Sequence, residues 1–234
     1  MSTYILPHLG VGDYLAVNGL IRNIIKAEDP SENFILFCNK NYKVSISFMF
    51  RDIENLTYSD VPPVEMSRLY ILPYIKETAN NYKLIVIGYD SLTKKNSIYD
   101  DFYSQFGIDP NKRFTDFYVQ RDKEREKIFF NQFNIKEGEY IFLHEGGTSN
   151  NSIIDISKIN SDLKIISATP DLTENMFDYC YLIENAAEIH CIESSFYFLS
   201  DLLHTKGKLY AHRYTKHVYD FEIPKSQKFW TILK

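Results

Sequence analysis

No stretch of this sequence stays apolar for the ~20 residues that a bilayer-spanning helix requires. Nor does it open with a basic segment and a cleavable apolar core, so no secretory signal is read there. Cysteine is scarce: Cys38, Cys180 and Cys191. An odd number at irregular spacing excludes a disulfide framework and a CxxC zinc pair. Each sits in an apolar run and reads as a buried reduced thiol, which suits a reducing, cytoplasmic setting. Basic charge is also in deficit, with 26 Lys and Arg against 31 Asp and Glu, a net charge of −5. With no basic run, nucleic acid is not expected as the main partner. A nucleotide-bearing small ligand stays open, because one or two cations and a helix N-terminus can hold a diphosphate.

Several motifs are missing too. There is no GxxxxGK[ST], which excludes a P-loop, and no GxSxG elbow of a serine hydrolase. No His, Cys, Asp and Glu stand at metal-ligand spacing and no DxD-type pair follows a strand, so no catalytic metal is expected. Asp100-Asp101 fall in SIYDDFYSQF and read as a solvated helix face.

What is present is a mixed α/β pattern. The 234 residues suffice for one large domain or two small ones. Eighteen Tyr and seventeen Phe predict an aromatic core. Short, continuously apolar runs predict strands over Tyr4–Pro7, Phe34–Cys38, Leu84–Gly88, Tyr140–His144, Leu163–Ser167, Ile189–Ile192 and Lys208–Ala211. Helical periodicity predicts helices over Tyr14–Lys26, Tyr99–Phe106, Thr115–Asn134, Met176–Asn185 and Ser195–His204. Alternation of the two implies βαβ units on parallel sheets. Residues Asn41–Thr78 are least legible; Pro62-Pro63 marks a break, with a strand near Leu56–Tyr58. The helix over Thr115–Asn134 carries QRDKEREK and reads as a solvated face. It separates two series of strand–helix units, giving an N-terminal domain over 1–115, a connecting helix over 116–138 and a C-terminal domain over 139–234. STYILPHLGVGD and EYIFLHEGGTSN open their halves alike, each a strand ending in His and a glycine-containing turn. Two Rossmann-like halves facing across a cleft explain that recurrence.

The turns carry the candidate chemistry. Gly10 and Gly12 fit the first two glycines of GxGxxG, but Leu15 falls where the third belongs, and the second strand ends FILFCNK without an acid. Nicotinamide dinucleotide binding is therefore disfavoured. Asp13, at or near the helix N-cap, has two readings: a cap for free N–H groups, or a general base. His8 either faces the same cleft or packs in the loop. In the second half, His144-Glu145-Gly146-Gly147-Thr148-Ser149 is either an ordinary turn or a close approach to ligand. Ser194-Ser195 opens a helix and reads as an N-cap or an anion site. Glu184 is a solvated acid or an acceptor for sugar hydroxyls. Arg213 is a phosphate clamp or a surface Arg. His190, inside a strand, reads as structural.

Three windows resemble glycosyltransferases of the GT-B fold, heptosyltransferase type. HLGVGDYLAVNGLIRNI is similar to their first strand–loop–helix, which commonly reads GxGD followed by an NGL[IV]R-like helix. ENAAEIHCIESSFYFLSDLL resembles the stretch that opens the helix beneath the donor diphosphate. YIFLHEGGTSN resembles the strand–His–x–G turn that starts their second domain. The resemblance implies a compact GT-B enzyme moving a sugar from a nucleotide-sugar donor to a hydroxyl of a glycan or glycoconjugate. It implies no cofactor and no metal, with inversion favoured. Asp13 becomes the catalytic base. His8, Gly10 and Gly12 belong to the acceptor side. His144, Gly146, Gly147, Thr148, Glu184, Ser194, Ser195 and Arg213 belong to the nucleotide-sugar side. The phosphate then belongs to the second half rather than over the first glycines. The chain is short for this fold, which implies trimmed loops or a missing βα unit. The usual basic residue near the donor phosphates falls to Arg213, Lys206 or Lys216. Alternatives are a sugar-nucleotide epimerase or hydrolase on this scaffold, a non-catalytic nucleotide-sugar or glycan-binding module, and a single flavodoxin-like domain.

Overall fold

The computed structural model describes residues 2–8, 10–61, 71, 73, 75–76, 81–88, 98–146, 154–159, 161–169, 171–213 and 226–233. The chain divides into two compact units, Met1–Gln120 and Arg121–Lys234. The first contains β1 (Ser2–Leu6), α1 (Val11–Ala27), β2 (Asn33–Asn39), α2 (Lys43–Met49), β3 (Leu56–Val61), β4 (Tyr82–Val86), α3 (Ile98–Ser104) and α4 (Lys112–Thr115). The second contains α5 (Lys123–Asn131), β5 (Tyr140–His144), β6 (Lys164–Ser167), α6 (Cys180–Asn185), β7 (Glu188–Cys191), α7 (Ser195–Leu202), β8 (Lys208–His212) and β9 (Trp230–Leu233).

Both sheets are parallel throughout. The first runs in the order β3-β2-β1-β4 and the second β6-β5-β7-β8-β9. Their central strands are apolar on both faces because both faces are covered. Tyr4 of β1 lies opposite Ile35 and Leu84, and Phe142 of β5 opposite Ile166 and Ile189. β1 stops at Leu6 because Pro7 has no N–H to give a ladder. In each sheet the first strand connects to a neighbour on one side, and a later strand of the unit returns on the other. Strand order therefore reverses beside β1 in one sheet and beside β5 in the other. In open parallel sheets the crevice at such a switch point, at the carboxyl ends of the strands, is where ligands bind.

The aromatic core holds as expected. Tyr179 packs against Phe129, Phe142 and Phe196, with ring centroids 4.9, 6.0 and 5.2 Å away. All three cysteines are free and buried. Burial pushes the Cys38 thiol up to about 11 and raises Cys180 and Cys191 as well, so none is a ready nucleophile. No helix among the described residues is long and apolar enough to cross a membrane.

The single helix expected over Thr115–Asn134 is instead two, α4 and α5, with residues 116–122 not helical. The cause is the NGLIR stretch of α1. Buried Asn18 donates to Tyr118 O at 3.1 Å and accepts from Tyr118 N at 3.0 Å, so one side chain satisfies both polar groups of that residue. Arg22 adds a bond to Tyr118 O at 2.8 Å and pairs with Asp52 at 2.8 Å. Asn23 holds the Asp116 carboxylate at 2.8 Å. Gly19 permits the approach: a Cβ there would lie 2.5 Å from Lys112 O. These bonds outbid helix propensity and lay the segment on α1.

QRDKEREK is likewise not simply a solvated face. Arg121 pairs with Glu126 and, at 2.7 Å, with Glu184, and Glu126 is 2% exposed. Arg125 pairs with the buried Asp178 at 2.7 Å. Removing Asn18 takes the hydrogen-bond partner from the Tyr118 amide at a part-buried contact and leaves a gap at a fully buried position of α1. Asn18→Ala is expected to lower unfolding free energy by about 2–3 kcal/mol in urea denaturation.

Candidate functional site

The first cluster forms where β1 ends. Gly10 is the N-cap of α1, in extended conformation, and the helix begins at Val11. Gly12 therefore lies in the first helical turn rather than in a loop. Asp13 is the third helical residue, one turn past the cap. Its Oδ2 accepts from Gly10 N at 3.3 Å, and its own N–H donates to Gly10 O at 3.0 Å. A negative group here suits the positive end of α1. A Cβ on Gly10 would lie 2.9 Å from Oδ2, so the carboxylate occupies space that only glycine leaves.

Asp13 is half-buried. Burial pushes its carboxyl above the usual carboxylate range. The nearby His8 opposes this, as do hydrogen bonds from Gly10 N and Tyr99. His8 also packs on Phe102, with ring centroids 5.0 Å apart. His8 is thus a histidine packed on Phe102 and close enough to act on Asp13.

The second cluster forms where β5 and β7 end. Ser194 is the N-cap of α7, in extended conformation, yet its hydroxyl makes no cap bond to the helix. It meets His144 Nδ1 instead, at 2.9 Å. The first-turn N–H groups of α7 therefore lack the side-chain cap that serine normally supplies. Phe196 packs on the His144 ring, centroids 4.5 Å apart, and ties this corner to the aromatic core. Burial lowers His144 to about 4, so the imidazole is neutral at pH 7. Gly146 approaches the same ring, since a Cβ there would lie 3.7 Å from Nε2. Ser195 begins α7.

Arg213 follows β8, next in the sheet to β7, and pairs with Glu193 at 3.0 Å. That places a cation, partly neutralised, on the loop that carries Ser194. His190 is buried inside β7, bonded to His212 Nε2 at 2.8 Å, and is structural as its position suggested.

Not every candidate is brought together. Glu184 sits at the opposite edge of the second sheet, ahead of β7, with its carboxylate held by Arg121 at 2.7 Å. Lys206 lies at that same edge, bonded to Asn185 Oδ1 at 2.6 Å. Gly147, Thr148, Ser149 and Lys216 lie outside the described residues. Asp101 is buried, and Asp100 pairs with Arg113 at 3.8 Å, so the solvated face read for this pair is corrected. The sequence reading missed Tyr99, whose hydroxyl donates to Asp13 Oδ1 at 3.4 Å. Its helical spacing places Tyr99 on the face of Phe102 and not that of Asp100, which marks it as a core residue but does not point to Asp13. Among the described residues no group of three His, Cys, Asp or Glu could hold a metal ion.

His144 and His212 both stand at about 4 in the fold, below the ordinary 6.5. Unfolded chains bind protons in that window and the fold does not. Stability is thus full above about pH 6.5 and is lost as pH falls toward 4. Thermal unfolding followed from pH 7 to 4 is expected to show this decline, and His144→Gln is expected to make it shallower.

No family model matches the sequence, and no curated protein matches it either. Solved structures do share its fold. A family 9 glycosyl transferase from Veillonella parvula is 9% identical at a TM-score of 0.62, over 99% of this chain and 86% of that one. The ADP-heptose lipopolysaccharide heptosyltransferase II of E. coli is 12% identical at 0.55, over 100% and 90%. The E. coli heptosyltransferase WaaC with ADP-2-deoxy-2-fluoro heptose is 10% identical at 0.51, over 100% and 93%. The chain is an α/β protein of two parallel sheets with the fold of these GT-B glycosyltransferases.

Proposed function

We propose that this protein is a glycosyltransferase that moves a sugar from a nucleotide-sugar donor to a hydroxyl of a glycan or glycoconjugate, with inversion and without a metal. The observation that carries the reading is Asp13: a half-buried carboxylate with raised proton affinity, at the switch point of a sheet whose fold is that of known glycosyltransferases. In the proposed step Asp13 takes the acceptor hydroxyl proton as that oxygen attacks the anomeric carbon. The bond from that carbon to the diphosphate breaks, and a nucleoside diphosphate leaves. Attack from the face opposite the leaving group inverts the centre.

The leaving diphosphate gains negative charge, which preorganised donors can stabilise. The N–H groups of α7, the Ser194 and Ser195 hydroxyls, His144 and Arg213 are suited to this, with Gly146 allowing close approach and Gly147 and Thr148 next in sequence. These groups and the helix dipole supply the stabilisation, so the reading needs no metal. Glu184 is left out, because its carboxylate is spent on Arg121. The acceptor side belongs to His8, Gly10 and Gly12, around Asp13. E. coli WaaC was solved with an ADP-linked sugar analogue, which makes ADP the first nucleotide to try.

Thermal shift against ADP, UDP, GDP and CMP is expected to show stabilisation by one of them. Turnover of the matching nucleotide sugar is expected to fall at least ~100-fold in Asp13→Asn, with the nucleotide shift retained. Since the base must be ionised, turnover in wild type is expected to fall as pH drops through the raised pKa of Asp13. Unchanged turnover in Asp13→Asn rejects the base role. A nucleotide shift without turnover in wild type favours a binding module.

A further inference from the structure

Asp13 is gripped from more than its own helix. Gly10 N holds Oδ2 from within the loop, at 3.3 Å. The other oxygen, Oδ1, is met at 3.4 Å by the hydroxyl of Tyr99, from α3, across a sequence separation of 86 residues. The two bonds address different oxygens, so together they fix the rotation of the carboxylate plane, which neither fixes alone. Tyr99 is itself well seated. It is 8% exposed, with its ring edge-to-face on Phe102 at 5.7 Å. The Arg113 guanidinium of α4 stands 5.8 Å from its ring centroid. Phe102 in turn packs on His8, so one ring supports both His8 and Tyr99.

We propose that Tyr99 is a positioning residue for Asp13, holding the carboxylate in the single rotation in which it can accept a proton. This rests on the reading of Asp13 as a base. The phenol donates its proton toward Oδ1 and keeps it throughout. Among the described residues, the charged groups that the structure places beside this pair come from several elements. His8 follows β1, Asp13 lies on α1, Arg113 lies on α4 and Asp100 on α3 is paired with Arg113. A hydrogen bond to the ionised carboxylate favours that form and lowers its pKa. Loss of the hydroxyl therefore shifts the titration of Asp13 upward. The conservative change Tyr99→Phe keeps the ring against Phe102 and beneath Arg113, so the fold is expected to survive it.

The direct test is a carbon-13 NMR titration of the aspartate side-chain carboxyls in the full chain, with the Asp13 signal assigned by its loss in Asp13→Asn. Tyr99→Phe is expected to raise the Asp13 midpoint by about half to one pH unit, less than a full hydrogen bond to a charged group gives, because the contact is long at 3.4 Å. The acid limb of the turnover profile is expected to move by the same amount, with kcat reduced at neutral pH and KM for the nucleotide sugar little changed. An Asp13 midpoint unmoved in Tyr99→Phe, in a protein with the wild-type melting temperature, overturns the proposal. The titration does not depend on turnover. A shifted midpoint combined with full activity in Asp13→Asn keeps Tyr99 as the partner of the acid, rejects Asp13 as the base, and so overturns a catalytic meaning for the contact.

Discussion

Strands buried on both faces cannot carry polar chemistry along their length, and that constraint organises both units. An ionised or hydrogen-bonding side chain in the middle of β1, β5 or β7 would have to be desolvated between two apolar layers. The candidate groups emerge where the ladders stop. His8 and Asp13 follow β1, His144 ends β5, Ser194 follows β7 and Arg213 follows β8. His190 shows the constraint from the other side. Within β7, it is admitted only because His212, Glu188 and the Tyr210 ring surround it. Reversal of strand order beside β1 and beside β5 then opens each sheet at the place where those side chains gather.

Continuous burial is also why much of the fold was legible. Seven of the strands are runs of apolar residues, and their parallel pairing follows from the helices between them. β9 escaped notice because Trp230–Leu233 is four residues long, only partly buried, and stands alone after a charged stretch. The connecting region failed for the opposite reason. Its composition is strongly helical, but Asn18, Arg22 and Asn23 claim the backbone and side chains of residues 116–118 from a hundred positions away. No local pattern encodes such a contact. The NGLIR window, read for its likeness to an enzyme family, turns out to be a structural device that fastens the end of the first unit to its first helix.

The site was legible in proportion to how close its members lie in sequence. Asp13 with Gly10, and Ser194 with Ser195, each sit within one turn and were found together. Tyr99 was not, because a hydroxyl 86 residues away from its partner leaves no spacing to read. Glu184 was misplaced by the same limitation. It stands close before β7 in sequence, yet a parallel strand puts its two ends on opposite edges of the sheet, and the Arg121 that neutralises it lies 63 residues upstream.

The two helix starts settle the same electrostatic need in opposite ways, and the proposed division of labour rests on that contrast. The first turn of α1 meets a negative charge of its own: Asp13 turns back on Gly10 and sits at the positive end of the helix. A phosphate brought there would face a like charge within a few ångströms, at a cost of about 1–4 kcal/mol depending on solvent screening. α7 begins with a serine, the residue most suited to cap it, and that hydroxyl is drawn off to His144. Its first-turn N–H groups keep their capacity for an anion supplied from outside. A helix start already neutralised by its own acid suits proton transfer from a neutral hydroxyl. A helix start left uncapped suits a diphosphate. Sharing one strand–turn–helix plan, the two halves differ in which atom answers the helix, and the proposed division between acceptor and donor rests on that difference.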